Sequence, residues 1–227
     1  MSSIAKEIDP AINLRTILSR VASARDKAIK PALETHLVAI SKNHDSEWVE
    51  LVLGAGHRIF GESRVQEAMA KWPALKARFA GVELHLVGSL QSNKVADAVS
   101  LFDCVHSLDR EKLATTFALE KKKVGRCPNL FIQVNVGEEP QKAGIAPRQT
   151  EEFVKYCREE LQLPVIGLMC IPPAQEEPSP YFTLLQKFSC DLSLNFLSMG
   201  MSNDFETAIR FGATHVRIGT AIFGERK

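Results

Sequence analysis

One lysine stands where an apolar strand is expected to end. The run HLVAISK occupies residues 36–42, and strand alternation places Val38, Ile40 and Lys42 on one face. An amine held against an apolar wall loses solvation in its charged form, so its pKa falls, and a neutral amine can form a Schiff base with a carbonyl. The simpler interpretation is that Lys42 only marks where the strand meets water.

Two turns near the C-terminus have the composition of an anion site. They are LSMGMSND at residues 197–204 and IGTAIFG at residues 218–224. Glycines let backbone N–H groups approach an anion, and serine and threonine hydroxyls add donors. A helix predicted to begin at Asn203 would direct its N-terminus at the same anion. A Gly-rich turn alone is weak evidence, since most such turns are only turns.

Arg217 stands two residues before the second turn, and it shares a strand face with His215 and Gly219. If that face and the face of Lys42 point to the same interior, a lysine and an arginine meet there. Two such cations repel each other unless an anion joins them. The alternative is that Arg217 makes an ordinary ion pair in the core or at the surface.

The elements that position these residues follow a regular alternation. Apolar, often β-branched runs separated by helical patterns indicate a parallel sheet buried on both faces. We predict eight strands, at residues 36–42, 58–62, 83–88, 103–109, 129–136, 164–171, 195–200 and 214–220.

Eight β–α units predict an α/β fold, a (β/α)₈ TIM barrel formed by residues 1–227 as a single domain. Little chain follows the eighth strand, but an extra helix is expected before the first, with Asp9 as cap and Pro10 in its first turn. Leu14, Ile17, Leu18 and Val21 form its apolar stripe, which would cover the face that the missing last helix leaves open. An open doubly wound sheet is the alternative.

In a barrel of this kind the active site lies at the carboxyl ends of the strands, and phosphate binds after strands seven and eight. Lys42, Arg217 and the two turns would then face one another. An aldehyde with a phosphate tail suits such a site, and pyridoxal 5′-phosphate (PLP) is one. Arg217 would reach the ring nitrogen, for which arginine is one of the known partners.

Composition excludes several other classes. A formal net charge of +1 gives no global attraction to nucleic acid or to an anionic membrane. Five scattered cysteines without a C-x-x-C pair do not fit a disulfide framework or a zinc site, and the six histidines show no metal spacing. Without a signal sequence or a long apolar run, we expect a cytoplasmic protein with no bound metal.

The chain resembles the pyridoxal phosphate homeostasis protein family, single-domain relatives of the alanine racemase barrel. The resemblance runs from about residue 36 to residue 226. The motifs that carry it are VAISK, FGESRVQEA, LHLVGSLQSNK, VNVGEEPQKAG, GLMCIP, LSMGMSNDFETAI and VRIGTAIFGER. One departure is Ser63, where the family usually has asparagine, so we assign Ser63 no cofactor contact.

The resemblance implies a role for each candidate residue. Lys42 would hold PLP as an internal aldimine, and Arg217 would contact the ring nitrogen. The phosphate would be held by Ser198, Gly219 and Thr220, with Ser202 as a further helper. The implied function is PLP homeostasis, by buffering the cofactor or delivering it to PLP-dependent apoenzymes, without robust catalysis and without catalytic residues.

Two enzymatic alternatives remain open. One is a PLP-dependent racemase-like or decarboxylase-like enzyme, but racemases of this barrel type use a second domain and an opposed tyrosine. The 227 residues leave no room for that domain, and Tyr156 and Tyr181 fall in predicted helical segments. The other is a Schiff-base aldolase or sugar-phosphate isomerase, which has no need for Arg217. No interface stripe is evident, so we expect a monomer.

Overall fold

The computed structural model describes residues 8–28 and 31–225. Its eight strands lie where the sequence predicts them, shortened by up to two residues at an end. They are β1 His36–Ile40, β2 Ile59–Glu62, β3 Glu83–Leu86, β4 Cys104–Leu108, β5 Asn129–Val134, β6 Val165–Cys170, β7 Phe196–Ser198 and β8 His215–Ile218. Lys42 therefore lies two residues beyond β1, in the loop.

The helices occupy the segments between the strands. They are α1 Pro10–Asp26, α2 Ser46–Gly54, α3 Val65–Arg78, α4 Val95–Leu101, α5 Glu111–Val124, α6 Thr150–Lys155, α7 Ser179–Asp191, α8 Phe205–Arg210 and α9 Thr220–Phe223. Short 3₁₀ turns at Ser92–Lys94 and Pro147–Gln149 precede α4 and α6, and a π-helical turn at Tyr156–Glu160 follows α6.

The sheet closes into a barrel of eight parallel strands, so the doubly wound alternative is wrong. β1 pairs with both β2 and β8, and Val38 lies opposite Arg217 in that last pair. Closure makes β1 and β8 neighbours, so Lys42, which follows β1, and Arg217, which lies in β8, come from adjacent strands.

The extra N-terminal helix is confirmed. The side chain of Asp9 accepts hydrogen bonds from the backbone N–H of Ala11 at 2.8 Å and of Ile12 at 3.2 Å, and Pro10 begins α1. α1 packs against α2, α8 and α9, covering the side that the four-residue α9 leaves open. Leu18 does not belong to the buried stripe, since 41% of it is exposed.

The apolar core has two parts. The larger lies between the sheet and the helices, and a smaller cluster inside the barrel contains Cys104, Phe131 and Met169. Between residues 8–28 and 31–225, no helix has the length and apolar content needed to cross a membrane.

Candidate functional site: a cation-lined cavity at the barrel mouth

A cavity of about 790 Å³ opens at the carboxyl ends of the strands. Its walls come from the segments that follow β1, β3, β5, β6, β7 and β8. Five of the six residues predicted to bind a cofactor line it, namely Lys42, Ser202, Arg217, Gly219 and Thr220. The sequence prediction that these residues converge is therefore met, while their binding roles stay predictions.

A buried ion pair between Lys71 and Glu62 contacts the backbone of the loop that carries Lys42. Lys71 Nζ lies 2.8 Å from Glu62 Oε1, and their side chains are only 7% and 0% exposed. The same ammonium donates to the backbone oxygens of Ser41 at 2.9 Å and His44 at 3.1 Å. Because these oxygens flank Lys42 in the chain, the ion pair holds the backbone on both sides of it.

Two further donors complete this support. The hydroxyl of Ser41 donates to Glu62 Oε1 at 2.8 Å, and the indole N–H of Trp72 donates to the same oxygen at 2.9 Å. Glu62 is the last residue of β2, and its carboxylate is part of this buried network. Sequence patterns gave no sign of the pairing with Lys71.

Arg217 lies in β8 with its guanidinium buried. It donates through NH1 to Ser198 Oγ at 2.6 Å and through NH2 to the backbone oxygen of Cys170 at 2.8 Å. Burial lowers the pKa of Arg217 from its ordinary value, and the nearby Cys170 and Asp204 act in the opposite direction. Arginine starts from so high a pKa that it remains a cation and a donor at neutral pH.

Glycines shape the wall where the two C-terminal turns meet. Gly200 has φ +93°, and a Cβ there would lie 2.9 Å from the Cα of Phe205. A Cβ on Gly219 would lie 3.2 Å from the backbone oxygen of Ile40. A larger residue at either position would displace backbone, so the glycines keep the turns close to β1 and α8.

The helix after β7 begins later than the sequence predicted, at Phe205 instead of Asn203. Asp204 Oδ1 accepts the backbone N–H of Met201 at 2.6 Å, and the backbone N–H of Asp204 donates to Met201 O at 3.1 Å. These two bonds close a turn over residues 201–204 before the helix can start. Ser202 and Asn203 therefore belong to a turn on the cavity wall.

Ser198 is the predicted site residue that does not line the cavity. It is fully buried, and its hydroxyl contacts Arg217 NH1 at 2.6 Å and His106 Nδ1 at 2.7 Å. Alternation places Ser198 and Arg217 on the inner face of adjacent strands, where they meet below the cavity. The hydroxyl is thus engaged inside the barrel, away from the turns proposed for an anion.

The opposite wall was missed by sequence reasoning. The Pro-rich stretch IPPAQEEPSP at residues 171–180 follows β6, and its residues Pro172, Glu176 and Glu177 line the cavity. Lys142, from the loop after β5, joins this wall and donates to Pro172 O at 3.1 Å. The position of this loop depends on tertiary contacts of this kind, which no local pattern encodes.

Ser63 and both tyrosines lie off the cavity wall. The hydroxyl of Tyr156 is 3.2 Å from that of Thr115, and the hydroxyl of Tyr181 donates to Glu176. No tyrosine therefore faces Lys42 across the cavity.

The class of protein follows from this barrel and from a match to a family model. Residues 12–227 match the model described as "Alanine racemase, N-terminal domain". The alanine racemase of Corynebacterium glutamicum has the same fold, with a TM-score of 0.71 at 14% identity, where the match covers 94% of this chain and 60% of that one. At that identity the likeness extends to the fold alone.

Within that class, the chain belongs to the pyridoxal phosphate homeostasis protein family. It is 39% identical over 223 residues to the pyridoxal phosphate homeostasis protein of Aquifex aeolicus, covering 94% of this chain and 97% of the relative. It also resembles PipY of Synechococcus elongatus PCC7942, solved with PLP bound, at a TM-score of 0.80 and 36% identity, covering 92% of this chain and all of PipY.

Proposed function

We propose that this chain binds PLP and contributes to PLP homeostasis by buffering the cofactor or delivering it to apoenzymes. The observation that carries the proposal is the convergence of Lys42, Arg217 and Thr220 on one cavity. The names of its relatives and the PLP-bound structure of PipY support it.

The donors around the cavity fit the three polar parts of PLP. The phosphate needs N–H and O–H donors, the ring nitrogen needs one donor when unprotonated, and the aldehyde needs an amine. The turns provide hydroxyls at Ser202 and Thr220, the guanidinium of Arg217 has five N–H groups, and Lys42 brings a primary amine. A cavity of about 790 Å³ falls within the range of small-molecule sites.

We assign the roles accordingly. Lys42 Nζ would bind the aldehyde carbon covalently with loss of one water. Thr220, Ser202 and the backbone at Gly219 would hold the phosphate. Arg217 would donate to the ring nitrogen through an N–H not used inside the barrel. Ser198 is left out of the phosphate group because its hydroxyl already contacts Arg217 and His106.

The same arrangement favours a carrier over a catalyst. Bound PLP supplies an electron sink for carbanions, and that sink is strongest when the ring nitrogen is protonated. Arg217 remains a donor, so it favours the unprotonated ring. The cavity wall also lacks a tyrosine that could serve as a second base opposite Lys42. Turnover of alanine enantiomers on the order of 1–10³ per second would contradict this proposal.

Titration of the purified protein with PLP tests the function directly. We expect a visible absorption band for the wild type, and borohydride reduction followed by peptide mapping should find the pyridoxyl group on Lys42. Lys42→Ala should abolish the covalent adduct, whereas Lys94→Ala, which changes a lysine outside the cavity, should retain it. A pyridoxyl group on Lys142, the other lysine of the cavity wall, would refute the assignment of Lys42.

A second assay separates a carrier from a protein that only retains the cofactor. The PLP-loaded protein is mixed with a PLP-dependent apoenzyme, and the return of that enzyme's activity is followed with and without a PLP-trapping scavenger. Reactivation that survives the scavenger indicates direct delivery, whereas reactivation that the scavenger abolishes indicates buffering through free PLP. Sedimentation of the same samples tests the expected monomer.

A further inference from the structure

Four of the six histidines lie along the inside of the barrel, and the assigned roles use none of them. The rings of His36 and His215 are 5.1 Å apart, and those of His85 and His106 are 5.0 Å apart. His85 and His106 are fully buried. A buried imidazole must find partners for both ring nitrogens, so the partners of this pair are informative.

A continuous row of hydrogen bonds passes through these two histidines. Glu83 Oε1 lies 2.9 Å from His85 Nε2, and His85 Nδ1 lies 2.9 Å from His106 Nε2. His106 Nδ1 lies 2.7 Å from Ser198 Oγ, which lies 2.6 Å from Arg217 NH1. The row begins at the first residue of β3, where the side chain of Glu83 is 47% exposed, and ends at the wall of the cavity.

The two ends of the row fix its direction. Arg217 can only donate, and an ionised Glu83 can only accept. With both histidines neutral, one arrangement satisfies every pair. Ser198 accepts from Arg217 and donates to His106 Nδ1, His106 Nε2–H donates to His85 Nδ1, and His85 Nε2–H donates to Glu83. The reverse arrangement would place a bare nitrogen of His85 against the carboxylate.

We infer that Glu83, His85, His106 and Ser198 form a polarised hydrogen-bond chain through the barrel that positions Arg217 at the cavity wall. The inference rests on the proposed function in one respect, the contact of Arg217 with the ring nitrogen of PLP. These four are positioning residues, because they act on the cofactor only through the guanidinium.

The hydrogen-bond chain explains the buried side chains of His85 and His106 better than a metal site does. Cys104 lies beside the two histidines, and one ligand atom from each of the three lies within 4.8 Å of the others. Yet all four ring nitrogens of His85 and His106 already have hydrogen-bond partners. Burial also raises the pKa of the Cys104 thiol well above its ordinary value, which disfavours the thiolate that a cation needs.

The charged neighbours support the same polarity. Glu83 faces His85, His36 and Lys76, and the hydrogen bond from His85 is the main cause that lowers the pKa of its carboxyl. His106 faces His85, His215 and Arg217, and burial followed by these neighbours lowers its pKa well below the ordinary value. The hydrogen-bond chain requires an ionised acceptor at one end, here Glu83, and a neutral imidazole inside, here His106.

The direct test is a nitrogen NMR measurement of the histidine side chains in the PLP-free protein at pH 8. Both His85 and His106 should be Nε2–H tautomers, with Nδ1 unprotonated. An Nδ1–H tautomer at either residue would overturn the inferred direction. This measurement needs neither a variant nor the cofactor. It therefore tests the direction of the hydrogen-bond chain even if the protein fails to bind PLP.

The effect on the cofactor is tested from the far end of the barrel. Glu83→Met removes the acceptor, and Glu83→Gln restores an acceptor oxygen without the charge. We expect Glu83→Met to populate a second tautomer of His85 or His106, to weaken PLP binding by about 2–30-fold and to alter the pH dependence of the bound spectrum. Glu83→Gln should recover most of the affinity.

Glu34→Met is the matched control, because Glu34 is a more exposed glutamate just before β1 at the same end of the barrel. It should leave tautomers and PLP affinity as in the wild type. One outcome is that the wild type binds PLP while Glu83→Met matches it in tautomers, affinity and spectrum. That result would refute the inferred hydrogen-bond chain and leave the proposed function standing. If the wild type does not bind PLP, the proposed function fails instead.

Discussion

At the N-terminal half of the barrel interior, polar side chains hydrogen-bond one another. His85 and His106 are fully buried there, and His106 packs on the ring of Phe131 with centroids 4.5 Å apart. At the C-terminal half, Lys42 and Arg217 line a cavity of about 790 Å³. One half of the interior is therefore closed by mutual hydrogen bonds, and the other presents donors to a space.

The difference shows how one barrel can separate stability from binding. Groups that satisfy one another inside contribute to a single packed arrangement, whereas donors around a cavity can also bind an external acceptor. Arg217 belongs to both halves, because it contacts Ser198 below and lines the cavity above. Apart from the row of hydrogen bonds that leads to Arg217, substitutions in the closed half should mainly change the free energy of unfolding, and substitutions in the open half should mainly change PLP affinity.

The largest effect of this kind is expected at Phe131, which is fully buried inside the barrel. Phe131→Ala would leave a cavity and should lower the free energy of unfolding by about 3–5 kcal/mol. PLP affinity should change by much less. Urea unfolding and PLP titration of the same variant measure both quantities.

Leu119→Ala is the control for Phe131→Ala, because Leu119 is 62% exposed on α5 and should barely alter stability. An equal energetic loss in unfolding and in PLP affinity for Phe131→Ala would show that the two halves are not separable.

Acid should destabilise the closed half through its buried histidines. Burial lowers the pKa of His215 to about 2 and places that of His106 well below its ordinary value. In the unfolded chain both pKa values return to about 6.5, so below that pH the unfolded state binds protons that the folded state does not. Stability is therefore fully present above pH 6.5 and is lost as pH falls.

The expected loss between pH 8 and pH 5.5 is about 1.4 kcal/mol for each histidine, or about 3 kcal/mol for the two. Urea unfolding across this range measures it. His215→Gln should remove about half of the slope. A free energy of unfolding that stays constant from pH 7 to pH 5.5 would contradict the neutral, buried state of these rings.

The smallest of these effects belongs to the open half. Thr220 is proposed to donate to the phosphate together with backbone groups that any substitution retains. Thr220→Val removes one hydrogen bond to a charged group, which contributes about 1.5–3 kcal/mol, so PLP affinity should fall by about 10–150-fold.

Thr220→Ser keeps the hydroxyl and should stay close to the wild-type affinity, while neither variant should change stability much. Equal affinity of Thr220→Val and the wild type would remove Thr220 from the phosphate site.

Several features of the fold could be predicted because they depend on local patterns. Apolar, β-branched runs located all eight strands, and Asp9 followed by Pro10 located the start of α1. The closed barrel followed from the count of β–α units. Since the carboxyl ends of parallel strands share one edge, the meeting of Lys42 with Arg217 and Thr220 could also be anticipated.

The rest depended on contacts between residues far apart in sequence. The alternation of β7 and β8 predicts that Ser198 and Arg217 lie on inner faces. It does not predict the contact between them. Glu83, His85 and His106 gave a weak signal, as polar residues at alternating positions of adjacent strands. Only strand tilt and closure decide which inner residues meet across a barrel.

The sequence by itself determined the eight-stranded barrel, the helix that precedes it and the convergence of Lys42 with the C-terminal turns, because each follows from strand order and periodicity. Only the tertiary structure decided that Lys71 and Glu62 hold the loop of Lys42. It also decided that Ser198 accepts a hydrogen bond from Arg217 inside the barrel. The physical reason is that a buried polar group must be satisfied by whatever partner the closed fold places beside it, and that partner is not encoded in local spacing.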